Sequence, residues 1–574
     1  MSRLPLIVQS DLTILLEVDN PLFEEARDAL SGFAELIKSP EHIHTYQLSA
    51  LSLWNALAAG LTESQIQESL TRFSSYPVPD TVIQFIHDQV HRFGRIRLQV
   101  APDGDGFWLT ANDQTILTQL GRMKSVIPYL GPHLPPGYRI SPENRGLVKQ
   151  ALARAGWPVT DEAGYVTGAP LPLGWRSITL NGRPFHLRTY QEAAIRVFWG
   201  DGEAQRGSGV IVLPCGAGKT VVGMGVMERA QTHTLILTTS MAALHQWKRE
   251  LLDKTTLTDD VIGEYSAAVK HIKPVTLTTY QMLTHRKHGD YVHFQELDRA
   301  PWGLIIYDEV HLLPAPMFRL TASLQARRRL GLTATLIRED GHADDVFSLI
   351  GPKRFDMPWK TLESEGWIAT AHCREIRVGL EPGLRDRYAS AEEPEQIRLA
   401  AENPAKIGVI RELLTHHAQD HVLIIGQYLS QLERLAEELH APLITGKTPA
   451  RERERLYQAF RDGQLPVLMV SKVGNFAIDL PDANVAIQIS GAFGSRQEEA
   501  QRLGRILRPK SDGGEATFYT IVSEDTKEQL FAQKRQLFLA EQGYRYEIAH
   551  AAPDGRPVDR LAPVIPFPRR EARS

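Results

Sequence analysis

A chain of 574 residues with 43% hydrophobic side chains can bury several cores, so three or four domains are expected rather than one. Two cysteines, Cys215 and Cys373, exclude a disulfide framework and a four-cysteine metal site, and no apolar run reaches the length of a membrane span. With 64 basic against 68 acidic residues the net charge is -4, so any polyanionic partner has to be held by local grooves rather than by a global field.

The first residues, Met1 to Asp11, contain neither a signal-peptide core nor a cleavage site, which predicts a cytoplasmic protein. Residues 1–112 read as a small α+β domain, with strands at 5–8 and 13–16, helices at 24–33 and 51–59, and an alternating outer or edge strand at 95–100. His42 and His44 have strand spacing and read as packing or hydrogen-bonding residues. Residues 113–175 carry two Gly/Pro-rich stretches, at 131–137 and 168–174, around one helix at 144–155, and so read as a linker or small accessory region. The first 170 residues hold 13 basic and 18 acidic side chains, which places the acidic excess there and leaves the remainder near neutral.

From about residue 176, short apolar strands alternate with helices, the pattern of doubly wound parallel sheets. One set of strands is expected at 210–213, 234–238, 275–278, 304–307 and 329–332, in a domain spanning 176–360. A second set, at 421–425, 466–470, 485–489 and 517–522, belongs to a domain spanning 361–550. Residues 551–574, which include Pro566-Phe-Pro-Arg-Arg570, have the composition of a disordered tail.

Two motifs in the first of these domains point to ATP hydrolysis. Pro214-Cys215-Gly216-Ala217-Gly218-Lys219-Thr220 lies between an apolar strand and a helix, so backbone N–H groups and the helix N-terminus can face a polyphosphate. Gly216 and Gly218 permit close approach, Lys219 supplies charge to the β and γ phosphates, and the Thr220 hydroxyl is placed to ligate Mg2+. Leu213 stands where the strict pattern has glycine. Asp308-Glu309-Val310-His311 follows a buried-strand pattern, with Asp308 expected to hold Mg2+ through its water shell and Glu309 to deprotonate the attacking water.

In the second domain the steps of four and three put Gln501, Arg505 and Arg508 on one helical face. Delivered to the phosphates, the two guanidinium groups would act as arginine fingers and couple hydrolysis to domain closure, although a solvated basic face has the same spacing.

Phe185-His-Leu-Arg-Thr-Tyr-Gln191, Leu213 to Thr220, Asp308 to His311, Gly331-Leu-Thr-Ala-Thr335, Ser471-Lys-Val-Gly474 and Gln501 to Arg508 stand in the order of the motifs of superfamily 2 helicases, which the chain resembles. Within that superfamily it resembles the XPB family, most closely its bacterial forms. The narrower resemblance rests on Val310, Arg338-Glu339-Asp340, Gly494-Ser-Arg-Gln-Glu-Glu-Ala-Gln501, Phe347 to Lys353 and Phe538 to Tyr544. Pro5 to Ser10, Pro40 to Tyr46 and Tyr76 to Asp80 extend it to the N-terminal part.

The resemblance implies two RecA-like doubly wound parallel-sheet motor domains preceded by a small α+β domain, an α/β architecture. It also implies an ATP- and Mg2+-dependent DNA helicase of 3'-5' polarity acting in repair at single-strand/duplex junctions, with a repair nuclease or another protein as possible partner and no membrane. Arg188 and Gln191 would recognise adenine, with Gln501 completing the nucleotide contacts. His311 would link the site to Thr333 and Thr335. Thr239, Thr279, Ser471 and Lys472 would meet DNA phosphates at strand ends, in company with Thr238, Ser240, Thr278, Tyr280 and Thr445 to Lys447. Arg338, Glu339 and Asp340 would help part the duplex, and the Glu-rich segment 383–403 would correspond to the family's thumb. Two further readings stand beside this one: a duplex translocase or remodeller that opens DNA only with a partner, and a nucleic-acid-binding scaffold with a vestigial ATP site, against which the intact Lys219, Glu309 and Arg508 argue.

Overall fold

A computed structural model describes residues 4–39, 42–200, 206–214, 216–287, 290–324, 327–334, 343–471, 483–490, 515–541, 544 and 546–551. Leaving aside the short segments Lys38–His42 and Cys215–Ala217, they form two compact units, one ending at Met357 and one beginning at Pro358.

The first unit opens with a four-stranded sheet of β1 (Leu6–Val8), β2 (Thr13–Glu17), β3 (Glu35–Lys38) and β4 (Ile43–Gln47), in the order β1-β2-β4-β3. Alternation decides which face is covered: Leu6, Val8, Ile14 and Leu16 are buried. Helices Ala50–Ala59 and Glu63–Phe73 follow, each started by a reciprocal capping box, from Ser49 and from Thr62. His44 is buried and sits edge-on to Phe23 at 5.3 Å.

A five-stranded sheet comes next: β5 (Ile96–Val100), β6 (Phe107–Ala111), β7 (His133–Leu134), β8 (Gly137–Ile140) and β9 (Val159–Asp161), ordered β7-β8-β6-β5-β9. Two expectations change here. Strand β5, read as an outer or edge strand, pairs with both β6 and β9. The region 113–175, read as a linker, supplies β7, β8, β9 and helix Arg145–Arg154 to a sheet that runs across position 112. Its strands are only two to four residues long, with prolines between or just before them, too short for an alternation signal to register. Ile96, Leu98, Leu109, Leu117, Leu120, Ile140, Val148 and Leu152 fill the core of this module.

Asp161 ties β9 to the helix, receiving Arg145 Nη2 at 2.8 Å and Lys149 Nζ at 2.9 Å. Burial pushes the Asp161 carboxyl up, but the charges of Lys149 and Arg145 outweigh it and hold the group well below the usual carboxylate range. Burial in turn lowers the Lys149 ammonium to about 8.

The Gly/Pro-rich stretch after this module is an ordered strap. Ala169 N donates to Pro301 O, His233 N to Ala169 O and Leu171 N to Gln231 O, while the Gln231 carboxamide accepts from Leu173 N and donates to Leu173 O. Gly168 has φ +74°, and a Cβ there would lie 2.3 Å from Gly303 N, so glycine is needed twice over.

The strap leads to a seven-stranded parallel sheet of β10 (Ser208–Val212), β11 (Thr234–Thr238), β12 (Ile262–Tyr265), β13 (Val275–Thr279), β14 (Leu304–Asp308), β15 (Arg328–Thr333) and β16 (Lys353–Asp356). Its order, β12-β13-β11-β14-β15-β10-β16, puts β15 between β14 and β10. The N-terminal sheet module contacts this domain, with Asn55 Oδ1 accepting from Lys353 N at 2.9 Å and Trp54 lying 5.9 Å from Phe347, ring to ring.

The second unit holds another seven-stranded parallel sheet: β17 (Ala371–Val378), β18 (Val422–Gly426), β19 (Leu443–Ile444), β20 (Val467–Ser471), β21 (Val485–Gln488), β22 (Ala516–Ser523) and β23 (Tyr546–Ala551). The order is β19-β20-β18-β21-β22-β17-β23. Helices Pro382–Ser390 and Glu393–Ala401 occupy the segment expected to correspond to a thumb.

Candidate active site

Parallel pairing brings the two motifs to one edge of the first seven-stranded sheet. In the register of β10, β15 and β14, Val212 lies opposite Thr333 and Leu332 opposite Asp308, so the phosphate loop, Thr333 and the acidic pair all leave adjacent strands at their C-terminal ends. Leu213 N donates to Thr333 O at 2.9 Å, extending the ladder to the start of the loop.

Beyond Pro214, which is buried, the loop turns with Gly216 at φ +82° and Gly218 at φ +80° and enters helix Lys219–Ala230. A Cβ on Gly218 would lie 2.6 Å from Gln191 Nε2, which places the Gln191 amide directly against the loop. Gln191 is buried and accepts from Arg188 N at 3.0 Å, and the Arg188 guanidinium donates to Tyr190 Oη at 3.1 Å. Lys219 and Thr220 begin the helix, both partly buried, with Ala217 fully buried behind them.

Lys219 Nζ lies 3.2 Å from Glu309 Oε1, the other Glu309 oxygen is 3.4 Å from His311 Nδ1, and the same His311 nitrogen is 2.5 Å from Thr333 Oγ1. Glu309 sits at φ +50°, a left-handed conformation that costs a non-glycine residue about 1 kcal/mol or more and aims its carboxylate back at the loop. Asp308 accepts from Trp247 Nε1 at 3.0 Å, and its carbonyl from Tyr280 Oη at 2.8 Å. Burial first, and the Glu309 charge second, raise the Asp308 carboxyl. Glu309 moves the opposite way, because the charges of Lys219 and His311 outweigh the effect of its burial.

A buried acidic pair with one of its members already forced upward is a site with surplus negative charge, and a divalent cation would relieve it. The left-handed glycines and the helix N-terminus suit a polyphosphate equally well.

Among the DNA candidates, Thr239 and Thr279 are partly exposed at the C-terminal ends of β11 and β13, and Thr279 also caps the next helix by accepting from Met282 N. Thr238 and Thr278 are fully buried, and Tyr280 is 3% exposed with its hydroxyl committed to Asp308, so these three brace the sheet instead of meeting a ligand. Ser471 is buried at the end of β20, while Lys447 is exposed after β19. Cys215, Thr335, Arg338, Glu339, Asp340, Lys472, Gln501, Arg505 and Arg508 lie outside the described residues, as does the tail after 551. Trp247 is the site residue that the sequence reading missed. It lies 61 positions before Asp308, in a helix whose apolar face gives no sign of a polar partner, and only the sheet order brings the two together.

Residues 362–559 match the ERCC3/RAD25/XPB C-terminal helicase family, residues 6–134 a helicase conserved C-terminal domain, and residues 184–338 the res subunit of type III restriction enzymes. A "DNA 3'-5' helicase XPB" of Mycobacterium tuberculosis is 52% identical over 562 residues, covering 98% of this chain and 99% of that one. The chain belongs to the XPB family. A second XPB relative, from Kineococcus radiotolerans, is 52% identical over 95% of this chain and 96% of its own. In Encephalitozoon cuniculi the XPB relative, named as a helicase/translocase subunit of general transcription and DNA repair factor IIH, is 35% identical over 96% of this chain and 83% of its own length. Among solved structures, the Pyrococcus furiosus Hef helicase domain overlaps 60% of this chain and 97% of that one at 14% identity and a TM-score of 0.41, which adds nothing to the assignment.

Proposed function

We propose that this XPB-family chain is an ATP-dependent DNA helicase of 3'-5' polarity that acts in DNA repair. The observation that carries the ATPase part is the meeting of Lys219, Asp308, Glu309 and Thr333 at the C-terminal ends of three neighbouring parallel strands. Polarity, DNA as substrate and repair rest on the relatives.

In this reading Gly216, Gly218, Lys219 and the N-terminus of helix Lys219–Ala230 hold the phosphates, and Gln191 with Arg188 takes the base. Thr220 and Asp308 would hold Mg2+, which supplies charge neutralisation on the phosphate oxygens. Lys219 rests on Glu309 while no phosphate competes for it. Once phosphate draws the lysine away, Glu309 loses the cation that keeps its pKa low and becomes basic enough to take a proton from the attacking water. His311, held between Glu309 and Thr333, senses that change and passes it to the segment after β15. Gln501, Arg505 and Arg508 belong to the proposal on their helical spacing and on family grounds. Thr239, Thr279 and Lys447 are described candidates with side chains open enough for phosphate contacts. Among the described residues no helix is long and apolar enough to cross a membrane.

ATP turnover and strand separation on forked and tailed duplexes test the proposal. The expected result is DNA-stimulated turnover with separation from a 3' tail, both lost in Lys219→Ala by about a thousandfold in turnover. Stimulation by duplex without separation would favour a translocase, and unchanged turnover in Lys219→Ala would overturn the site.

A further inference from the structure

A pocket of about 250 Å³ lies at the end of the first parallel sheet opposite the phosphate loop. Arg329, the second residue of β15, lines it and pairs in register with Ser208, the first residue of β10, whereas the phosphate loop and Thr333 stand at the other ends of those two strands. Arg354 comes from β16, on the far side of β10 from β15. Helix Arg145–Arg154 contributes Lys149, helix Ala50–Ala59 contributes Ala58, and Arg206 lies just before β10. The four-stranded module, the five-stranded module and the parallel sheet thus meet around one cavity.

Lys149, Arg206, Arg329 and Arg354 line the pocket, against one carboxylate among the described residues, Asp161. That carboxylate is already shared between Arg145 and Lys149. Arg329 is 2% exposed and Lys149 5%. Arg354 Nε donates to Ser208 O at 3.1 Å and Arg329 Nη1 to Arg327 O at 2.6 Å, but a carbonyl satisfies an N–H without supplying a net charge. Four cations around one carboxylate therefore leave the cavity positive, in surroundings where charge is poorly screened. Burial first and the Arg206 charge second lower Arg354 to about 10, and it remains a cation at neutral pH. The backbone is shaped for this arrangement. Gly209 has φ +148°, and a Cβ there would lie 2.5 Å from Arg354 Cγ, so glycine makes room for the arginine stem beside β10.

Guanidinium forks match the oxygens of a phosphoryl group, and an anion of two or more charges offsets more of the surplus than a carboxylate or chloride does. The cavity is smaller than the roughly 300–1,000 Å³ of sites that enclose a drug-sized molecule, which suits one or two phosphoryl groups. We propose that this pocket is a phosphate-binding site, taking inorganic phosphate or diphosphate or the phosphoryl end of a nucleotide, and that its occupant ties the four-stranded and five-stranded modules to the starts of β10 and β15. Nothing in it depends on ATP turnover at Lys219.

Amide hydrogen exchange on the full chain, with pyrophosphate and without Mg2+, carries the test. Pyrophosphate is expected to slow exchange about fivefold in peptides covering 145–161 and 346–356, and to do so equally in Lys219→Ala. Arg206→Ala and Arg354→Gln should each need about tenfold more pyrophosphate for the same protection, and Arg206→Lys about threefold more. Arg206 is only half-buried, so its variants decide the matter even where the loss of Arg354 unfolds the chain, which thermal unfolding without ligand reveals. ADP in a parallel series separates the sources: protection of the same peptides assigns the phosphoryl end of a nucleotide, and protection by pyrophosphate alone assigns the free anion. Protection confined to peptides covering 216–231, equal affinity in the parent and Arg206→Ala, or protection by a short single strand of DNA but not by pyrophosphate would overturn the proposal.

Discussion

Replacing Asp308 by asparagine should make the nucleotide-free protein more stable while destroying its activity. The Asp308 carboxyl is raised from 3.8 to about 6, first by burial and second by the charge of Glu309. Each unit corresponds to about 1.4 kcal/mol, so the ionised group costs the fold on the order of 3 kcal/mol. Asparagine carries no charge and can still accept from Trp247 Nε1. The sign follows from linkage: a carboxyl whose folded value lies above its unfolded value makes stability fall as pH rises between the two, and the loss is complete above the folded value. The gain in Asp308→Asn is therefore full at pH 7.5 and much smaller at pH 4.5. For a unit of this size roughly 3 kcal/mol should raise the melting temperature by about 3–6 °C. Thermal unfolding of both proteins without nucleotide at the two pH values, with ATP turnover measured alongside, is the assay. An asparagine variant that melts at or below the parent at pH 7.5, or gains equally at pH 4.5, would refute the claim that buried charge at Asp308 is held against its own preference.

Three other perturbations separate the parts of the site. Trp247→Phe removes the indole N–H that steadies ionised Asp308, a charged hydrogen bond worth about 1.5–3 kcal/mol, so the acid limb of the ATPase pH profile should move up by about one unit; an unmoved limb would exclude Trp247 from the site. Thr333→Val takes away the hydroxyl 2.5 Å from His311, and DNA stimulation of turnover should fall about tenfold with nucleotide affinity kept, as read from steady-state kinetics with and without DNA. Asp161→Asn leaves Arg145 and Lys149 buried without a counter-charge and should cost about 3–5 kcal/mol, seen as a lower denaturant midpoint with ATP turnover at low temperature unaffected.

How legible all this was in the sequence depended on length and polarity. Strands such as Thr234–Thr238 and Leu304–Asp308 are five-residue apolar runs buried on both faces, and they announce themselves. Strand β17 escaped because Glu375, Arg374 and Arg377 interrupt it. Glu375 is 1% exposed, with Arg377 Nε 2.7 Å from one oxygen and the Gln536 amide donating to the other, pairings no single-sequence pattern reveals. Strands β7 and β9 were hidden by brevity, and the strap by a composition that means loop but not disorder. At the site, motif spacing singled out Lys219, Asp308, Glu309 and His311, but that Lys219 meets Glu309 and His311 meets Thr333 depends on the neighbouring strands β10, β15 and β14. Trp247 and the buried state of Tyr280 depend on the order β13-β11-β14, which no local signal encodes.

The strap also bears on where this molecule can be cut. Family similarity to the res subunit begins at residue 184, yet the amide of His233, the carbonyls of Gln231 and Pro301 and the space beside Gly303 are met by residues 167–173. A fragment started at the similarity boundary would leave the floor of the first parallel sheet uncovered, with unsatisfied backbone groups and a ready surface for self-association. A fragment started before Ala163 would keep that floor sealed, so the smallest self-sufficient piece of the ATPase is longer than its signature motifs suggest.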